Sequence, residues 1–317
     1  MKYKTVKEMS ENWGISGSMI RKYCSQNRIP GAKKGETGWL IPDTNEKPEP
    51  EISSPFTKSS LPILARKIRN QKNGTNYHGL YDYVQINSAY SSSRMASNRL
   101  TRNQVESIFR KGKVRESFEP MKVSDLIEVM NHCVCMDYII ENVDKPLSVK
   151  FIKRLHEMLM YGTVDARLQK VTPGEYRNSK SKRKETFILP AAHINDQLTK
   201  LVKEYEAYDE IERREILEFH VKFERIFPFE DGNGRIGRLI MFKECLRHEV
   251  IPFILDDKKR TAYLEGLREW DEDPGILADV VIDAQERFHR QVELQILMAY
   301  GHDYDPTKYR EDDEDEE

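Results

Sequence analysis

The segment Phe227-Pro228-Phe229-Glu230-Asp231-Gly232-Asn233-Gly234-Arg235-Ile236-Gly237-Arg238 constrains the fold of this chain more than any other. It joins the end of one apolar-periodic segment to the start of another, which predicts a turn between two helices. Gly232 and Gly234 allow the backbone to turn tightly and to approach a ligand closely. The helix that follows would direct free N–H groups and the positive end of its dipole at a phosphate. The segment therefore predicts an anion-binding turn.

Charged side chains complete the predicted site. Arg235 and Arg238 are three residues apart, so they share a helical face and can clamp phosphate oxygens. Asp231 suits Mg2+, which favours one or two carboxylates together with substrate phosphates. We therefore predict a site for ATP or ADP with Mg2+, in which Asp231 is the metal ligand. The predicted nucleotide-binding residues are Gly232, Asn233, Gly234, Arg235 and Arg238, with Tyr263 bordering the adenine. The alternative is a glycine-rich turn capped by charged residues.

The same segment resembles the signature of the Fic (Fido) family, H-P-F-x-[DE]-G-N-G-R-x-x-R, and eleven of the twelve positions fit. The resemblance implies an all-α Fic fold with a short β-hairpin flap, which transfers AMP from ATP to a protein hydroxyl. It also implies that Phe227 and Asn233 occupy catalytic positions, and that the general base normally stands at the position of Phe227. Because Phe has no proton-accepting atom, the usual reaction cannot run.

A second segment, residues 91–101, carries the same resemblance. Many Fic proteins have an inhibitory helix of the form [ST]-x-x-x-E-[GN] before the core. Here Ser92 matches the first position, but Ala96 replaces the Glu. The resemblance implies that this Glu pairs with the second arginine of the core motif, here Arg238, and keeps the γ-phosphate out of a productive pose. We therefore expect Arg238 to lack that carboxylate partner; the alternative is that residues 92–98 are only the start of a helix.

A basic loop, residues 180–184, leads into a segment that the resemblance identifies as the flap. The flap would pair with an extended segment of a protein target through backbone hydrogen bonds. The residues assigned to it are Glu185, Thr186, Phe187 and Ile188. Without the resemblance, these residues read as one short strand after a solvated run of charge.

Residues 1–48 show two short helical patterns across a Gly14 turn, followed by a hairpin pattern over residues 29–42. They resemble a winged helix-turn-helix domain of the MerR and excisionase type. In that arrangement the residues facing DNA would be Ser16, Ser18, Arg21 and Lys22 from the second helix and Lys33 and Lys34 from the wing. The alternative is a protein-docking unit with a solvated basic face. A single copy of so small a DNA-binding domain should bind DNA weakly unless the protein forms a homodimer.

The remaining boundaries follow from composition. Residues 49–61 contain prolines and polar residues without hydrophobic periodicity, which predicts a linker. Residues 62–300 form the predicted Fic domain, and residues 301–317, which end in seven acidic residues, form a predicted disordered tail. No stretch of 18 apolar residues exists, and the N-terminus lacks the apolar run of a signal peptide, which predicts a cytoplasmic protein without a membrane partner.

The histidines and cysteines show no spacing typical of a metal site. His132 and His156 lie within apolar helical patterns, so we interpret them as structural. His220 is seven residues before Phe227, which is about 10 Å of helical rise, so it lies too far away to replace the missing base.

Three functions from different classes fit these observations. The first is an active protein adenylyltransferase in which Glu230 or Asp231 is the base. The second is a nucleotide-binding scaffold with lost or crippled transfer, and the third is a DNA-binding regulator whose Fic-like domain senses a nucleotide or mediates dimerisation. Carboxylates are poor bases for a hydroxyl because of their low reference pKa, so we favour the second.

Overall fold

The computed structural model describes residues 2–15, 17–25, 27–35, 38–43, 48, 61–73, 79–114, 121–178 and 189–300. Its architecture is largely helical, with one small sheet near the N-terminus. No helix within these ranges is both long and apolar enough to cross a bilayer. The predicted all-helical fold is confirmed, whereas the flap residues Glu185, Thr186, Phe187 and Ile188 and the acidic tail lie outside the described residues.

The N-terminal unit, residues 2–43, consists of two helices and a three-stranded antiparallel sheet. Its elements are β1 (Tyr3–Thr5), α1 (Val6–Trp13), α2 (Gly17–Ser25), β2 (Lys33–Gly35) and β3 (Gly38–Pro42), with the strand order β1-β3-β2. Thr5 and Glu8 form a reciprocal capping box at the start of α1, and Gly14 ends the helix in the left-handed region. The two helices and the hairpin were predicted; β1 was not.

The larger part of the chain is built from eleven further helices in the described residues. They are α3 (Leu61–Lys72), α4 (Leu80–Met95), α5 (Arg102–Lys111), α6 (Val123–Glu141), α7 (Val149–Met160), α8 (Val164–Arg167), α9 (Ile194–Glu206), α10 (Arg213–Ile226), α11 (Asn233–Arg247), α12 (Arg260–Arg268) and α13 (Gly275–Tyr300). Two short 3-10 helices, Ala191–His193 and Asp257–Lys259, precede α9 and α12.

Helix α11 is the centre of this bundle. It packs against α10, α6, α3, α4 and α7, and most of its residues from Ile236 to Leu246 are buried. A helix that is buried all round belongs to the interior of a domain rather than to its surface. The N-terminus of α11, where the predicted site lies, is therefore held by helices on several sides.

The N-terminal unit packs on α13. Ile282 of α13 is 1% exposed and belongs to the same apolar cluster as Met19 and Ile20 of α2. Beside it, the Lys22 ammonium lies 3.4 Å from Glu286, and an Arg28 nitrogen lies 3.9 Å from the same carboxylate. Helix α2 therefore contacts α13 through both apolar and charged side chains.

Candidate functional site

The α10–α11 turn, residues 227–232, has the geometry that the sequence predicts. Helix α10 ends at Ile226, and Phe227 follows in the left-handed region, with φ 49° and ψ 61°. Gly232 also has a positive φ, 82°, and α11 begins directly after it without a side-chain cap on its first turn. A left-handed conformation costs a residue such as Phe about 1 kcal/mol, so surrounding contacts must hold Phe227 there.

Arg177 provides such contacts. Its Nε donates to the Phe227 carbonyl at 2.8 Å, and its backbone N–H donates to the Pro228 carbonyl at 2.9 Å. Its Nη2 donates to the Leu189 carbonyl at 2.6 Å, and the residue is 2% exposed. Arg177 thus fixes the backbone of the turn and joins it to Leu189, which follows the predicted flap. The sequence analysis assigns no role to Arg177.

Asn233 closes the turn from inside. Its side-chain Nδ2 donates to the Phe229 carbonyl at 2.8 Å, and its Oδ1 accepts from the Phe229 N–H at 2.9 Å. Both residues are buried. The amide of Asn233 is therefore used within the protein, and its backbone N–H at the start of α11 is the group directed at an anion.

His156 of α7 secures the same turn. Its ring stacks on Phe229 with centroids 3.8 Å apart. Its Nδ1 accepts from the Gly174 N–H at 2.9 Å, so the proton resides on Nε2, which donates to the Asp231 carbonyl at 3.2 Å. Burial lowers the pKa of His156 to about 4, so the ring is neutral near pH 7. This histidine has a structural role, as the sequence analysis expects.

Arg235 is 2% exposed and bonds to two carboxylates. Its Nη1 donates to Glu128 of α6 at 2.8 Å, and its Nη2 donates to Asp231 at 3.0 Å. The other Asp231 oxygen accepts from the Gly232 N–H at 2.7 Å, yet the Asp231 side chain remains 52% exposed. Burial raises the pKa of Glu128, and the positive charge of Arg235 opposes that shift. The sequence did not indicate Glu128.

Arg238 is held by α4. Its Nε donates to the Ser92 hydroxyl and its Nη2 to the Ser92 carbonyl, each at 3.0 Å. A Cβ added at Gly234 would lie 2.9 Å from Nη1 of the same arginine, so the glycine leaves room for this side chain. Ala96 is exposed and follows the last residue of α4. Residues 92–98 are thus the end of a helix, and the alternative that they start one is wrong.

A buried histidine and tyrosine lie behind Arg238. His220 Nε2 and the Tyr263 hydroxyl are 2.6 Å apart, and both residues are at most 2% exposed. The Arg238 guanidinium lies 5.9 Å from the centre of the Tyr263 ring. Burial, together with the positive charge of Arg238, lowers the pKa of His220 to about 3. His220 is therefore a neutral buried group, and Tyr263 is the residue that bonds to it.

One further carboxylate near the turn was not predicted. Glu224 lies on α10 one turn before Phe227 and is 6% exposed. Its Oε1 lies 3.6 Å from the place that a Cβ on Gly234 would occupy. Glu224 is therefore the acidic side chain that borders the start of α11 from the α10 side.

The predicted DNA-contacting residues lie in different surroundings. Ser16 falls outside the described residues. Lys33 and Lys34 of β2 are exposed, and the Lys33 ammonium lies 4.3 Å from the centre of the Tyr3 ring. Lys22 points to Glu286 and Asp283 of α13, with its side chain 40% exposed. The DNA assignment stays a prediction.

The turn has the features of an anion site. The first N–H groups of α11 have no side-chain cap, Gly232 and Gly234 place no side chain at this helix start, and the guanidinium of Arg238 lies beside Gly234. No group of three or more metal-binding side chains occurs in the described part of the chain. A metal here would therefore depend on Asp231 together with ligand phosphates, which is the arrangement that Mg2+ favours.

Comparison with known proteins identifies the domain that contains this turn. Residues 146–245 match the model of the Fic/DOC family, which confirms the predicted domain in that part of the chain. The protein adenylyltransferase Fic of Drosophila melanogaster is 26% identical over 193 residues, which cover 56% of this chain and 36% of that protein. The Drosophila yakuba protein is 25% identical over the same share. The chain thus spans about a third of the length of these curated relatives.

Solved structures show the same fold. A Fic domain containing signaling protein from Bacteroides thetaiotaomicron superposes with a TM-score of 0.61 at 19% identity, over 78% of this chain and 96% of that chain. Fic-1 from C. elegans gives a TM-score of 0.59 at 18% identity, over 76% and 73% of the two chains. At such low identity the likeness shows the fold alone.

Proposed function

We propose that this chain is a Fic-type nucleotide-binding protein, related to protein adenylyltransferases, in which transfer of AMP from ATP to a protein hydroxyl is lost or strongly reduced. One observation carries the proposal: Phe227 occupies the family's base position in a turn that leads into a helix start without a side-chain cap. The Drosophila relatives bear the name of the activity, which supports ATP as the ligand. Binding and chemistry are therefore separable in this protein.

Binding would use the backbone of the turn and one arginine. The N–H groups of Asn233 and Gly234 would donate to phosphate oxygens, and Arg238 would exchange Ser92 for a phosphate. A phosphate carries negative charge and can accept two parallel hydrogen bonds from a guanidinium, whereas the hydroxyl and carbonyl of Ser92 are neutral acceptors, so a phosphate should displace them. Asp231 would hold Mg2+, which neutralises phosphate charge when it is bound.

Regulation would act on the same arginine. A Glu at position 96 would compete for Arg238 as a charged partner, whereas Ala96 cannot. Ser92 offers Arg238 two acceptors, its hydroxyl and its carbonyl, and both are neutral. We therefore propose that α4 orients Arg238 without excluding the γ-phosphate. A protein target would pair with the flap residues, and we propose a cytoplasmic location.

The test is a pair of measurements on the full chain. Calorimetry with ATP and Mg2+ should show binding, and incubation with labelled ATP should show little or no AMP on the protein. Absence of nucleotide binding at millimolar concentration would exclude the scaffold role. Efficient labelling would instead indicate another base, and Glu224 and Glu230 would be the carboxylates to replace.

A second function is favoured by the N-terminal unit. Its β2 strand exposes Lys33 and Lys34, and its helices follow the predicted order. We propose as the alternative a DNA-binding regulator whose Fic-like domain senses a nucleotide or forms the interface of a homodimer. Salt-dependent binding of duplex DNA, lowered by added ATP, would support it.

A further inference from the structure

The surroundings of Arg235 differ from those of Arg238. Arg238 is half-buried and bonds to one serine, whereas Arg235 is 2% exposed and bonds to the two carboxylates of Glu128 and Asp231. Arg235 thus has little surface left for a ligand. The two arginines share a motif but not an environment.

A direct contact between Arg235 and a phosphate would disrupt this arrangement. The Glu128 side chain is 18% exposed, so taking its arginine away would leave a largely buried carboxylate without its cation. Asp231, in contrast, is half exposed at the mouth of the turn, and its backbone and side chain are both fixed. The geometry therefore directs Asp231, and not Arg235, to the ligand.

We propose that Glu128 and Arg235 are positioning residues that hold the Asp231 carboxylate ready for a divalent cation. Glu128 anchors the guanidinium to α6 and balances its charge, and the guanidinium in turn fixes one oxygen of Asp231. Arg235 keeps Asp231 in place, and because Glu128 neutralises part of the arginine's charge, Asp231 keeps enough negative charge to bind a cation. This inference rests on the proposed binding of nucleotide with Mg2+.

The experiment compares ATP binding with and without Mg2+ in the full chain and in Glu128→Gln. The variant keeps the shape of the side chain but leaves Asp231 as the sole carboxylate bonded to Arg235. The full positive charge of Arg235 then acts on Asp231, so Asp231 should bind the cation more weakly. Loss of an outer partner of a metal ligand typically lowers metal affinity by about tenfold or more, so the Mg2+ concentration for half-maximal effect should rise by about that factor. Affinity for ATP without Mg2+ should stay within about twofold.

Glu141→Gln is the matched control. It makes the same substitution in the same helix, thirteen residues further along, which is about 20 Å from Glu128. Its Mg2+ dependence should equal that of the unmodified chain. Glu128→Asp keeps the charge, so it should raise the Mg2+ concentration for half-maximal effect less than Glu128→Gln does. If thermal melting shows that Glu128→Gln does not fold, Glu128→Asp replaces it and should still raise that concentration above the value of the unmodified chain.

Arg235→Lys separates positioning from direct phosphate contact. Under the proposal it raises the Mg2+ requirement and leaves Mg2+-free binding of ATP unchanged; equal loss in both conditions would overturn the proposal. An unchanged Mg2+ midpoint in Glu128→Gln would also overturn it. If the unmodified chain binds no ATP, both the proposed function and this inference are wrong. If the unmodified chain binds ATP with Mg2+ but the variants behave as it does, only this inference is wrong.

Discussion

The α10–α11 turn and the N-terminal unit are attached to the protein in different ways. The turn is held by buried polar contacts from several elements, among them Arg177, His156 and Glu128. The N-terminal unit contacts α13 through the buried Ile282, an ion pair of Lys22, whose side chain is 40% exposed, and an ion pair of Arg28, whose side chain is 10% exposed. Exposed ion pairs contribute about 0–1 kcal/mol each, whereas breaking a buried network costs several.

This difference suggests two kinds of behaviour. The turn should keep its geometry whether or not a nucleotide is bound, so its chemistry depends on which side chains it presents. In the N-terminal unit, the partly exposed Lys22 can exchange its ion-pair partner for another at little cost. Variants of the turn should therefore have large effects on binding or catalysis, and variants of the docking contact should have small ones.

The largest effect should come from Phe227→His. It places a proton acceptor at the base position, and His is among the residues that tolerate the left-handed region. General-base catalysis typically raises a reaction rate by about 10²- to 10⁴-fold, so the rate of AMP transfer from labelled ATP should rise by that factor. Adding Ala96→Glu should suppress the gain, because the new carboxylate competes for Arg238.

Phe227→Asn is the matched control, since Asn also tolerates a positive φ but is not a base. It should label no better than the unmodified chain. Equal labelling by the Asn and His variants would show that backbone relaxation, rather than proton transfer, limits the reaction. No effect of Ala96→Glu would show that the end of α4 does not control the nucleotide.

Acid should destabilise the helical domain through its buried histidines. Burial lowers the pKa of His132 to about 3, of His156 to about 4 and of His220 to about 3. Above pH 6.5 these groups are neutral in both states; below it the unfolded chain binds protons that the folded chain cannot. The unfolding free energy should therefore fall by roughly 1–2 kcal/mol per histidine between pH 6.5 and 5.

Denaturant unfolding at a series of pH values checks this expectation. Residues 1–48 contain no histidine, so hydrogen exchange should report loss of protection in α6, α7 and α10 before α1. Equal stability at pH 7 and pH 5 would show that these histidines gain protons while the protein stays folded.

Two glycines of the motif should respond differently to alanine. A Cβ at Gly237 would lie 2.5 Å from the ring of His220, which is buried and bonded to Tyr263, so Gly237→Ala should cost about 1–3 kcal/mol of stability. A Cβ at Gly234 would lie 2.9 Å from the flexible end of Arg238 and at ordinary contact distance, 3.6 Å, from Glu224 Oε1. Gly234→Ala should therefore fold normally and weaken ATP binding by moving Arg238. The reverse pattern in thermal melting and calorimetry would contradict this account of the turn.

The sequence predicted local features well because spacing along a helix determines them. The turn, the start of α11 and the structural role of His156 follow from periodicity and residue type. Partners from distant segments do not: Glu128 is 107 residues from Arg235, and Arg177 is 50 from Phe227. Such contacts depend on how helices pack, which no single motif specifies.

The resemblance to a family predicted a relation between distant residues that helical spacing could not predict. It named Ser92 and Arg238, 146 residues apart, as members of one regulatory arrangement, and the structure joins them. The phosphate role of Arg235, which helical spacing predicted, stays a prediction, and the structure shows this side chain bonded to Glu128 and Asp231. In the N-terminal unit, the resemblance placed Lys22 toward DNA and could not show that its side chain contacts Glu286 of α13, because charge alone does not define an interface.

The smallest effect concerns the docking of α2. If Lys22 contributes to DNA binding, its ion pair with Glu286 competes with a phosphate. Glu286→Gln should then raise DNA affinity by about fivefold, the value of one partly exposed ion pair, when measured by fluorescence anisotropy at fixed salt. Replacing Lys33 and Lys34 together by Ala should lower the slope of log affinity against log salt by about two.

Glu293→Gln on the same helix is the control for the docking experiment, because Glu293 lies seven residues from Glu286, about 10 Å along α13. It should leave DNA affinity unchanged. A gain in both variants would indicate a general loss of repulsion rather than release of α2. If Glu286→Gln has no effect while the Lys33 and Lys34 replacement lowers the slope, the wing alone contacts DNA. If neither changes binding, the N-terminal unit is a protein-docking element whose basic face is solvated.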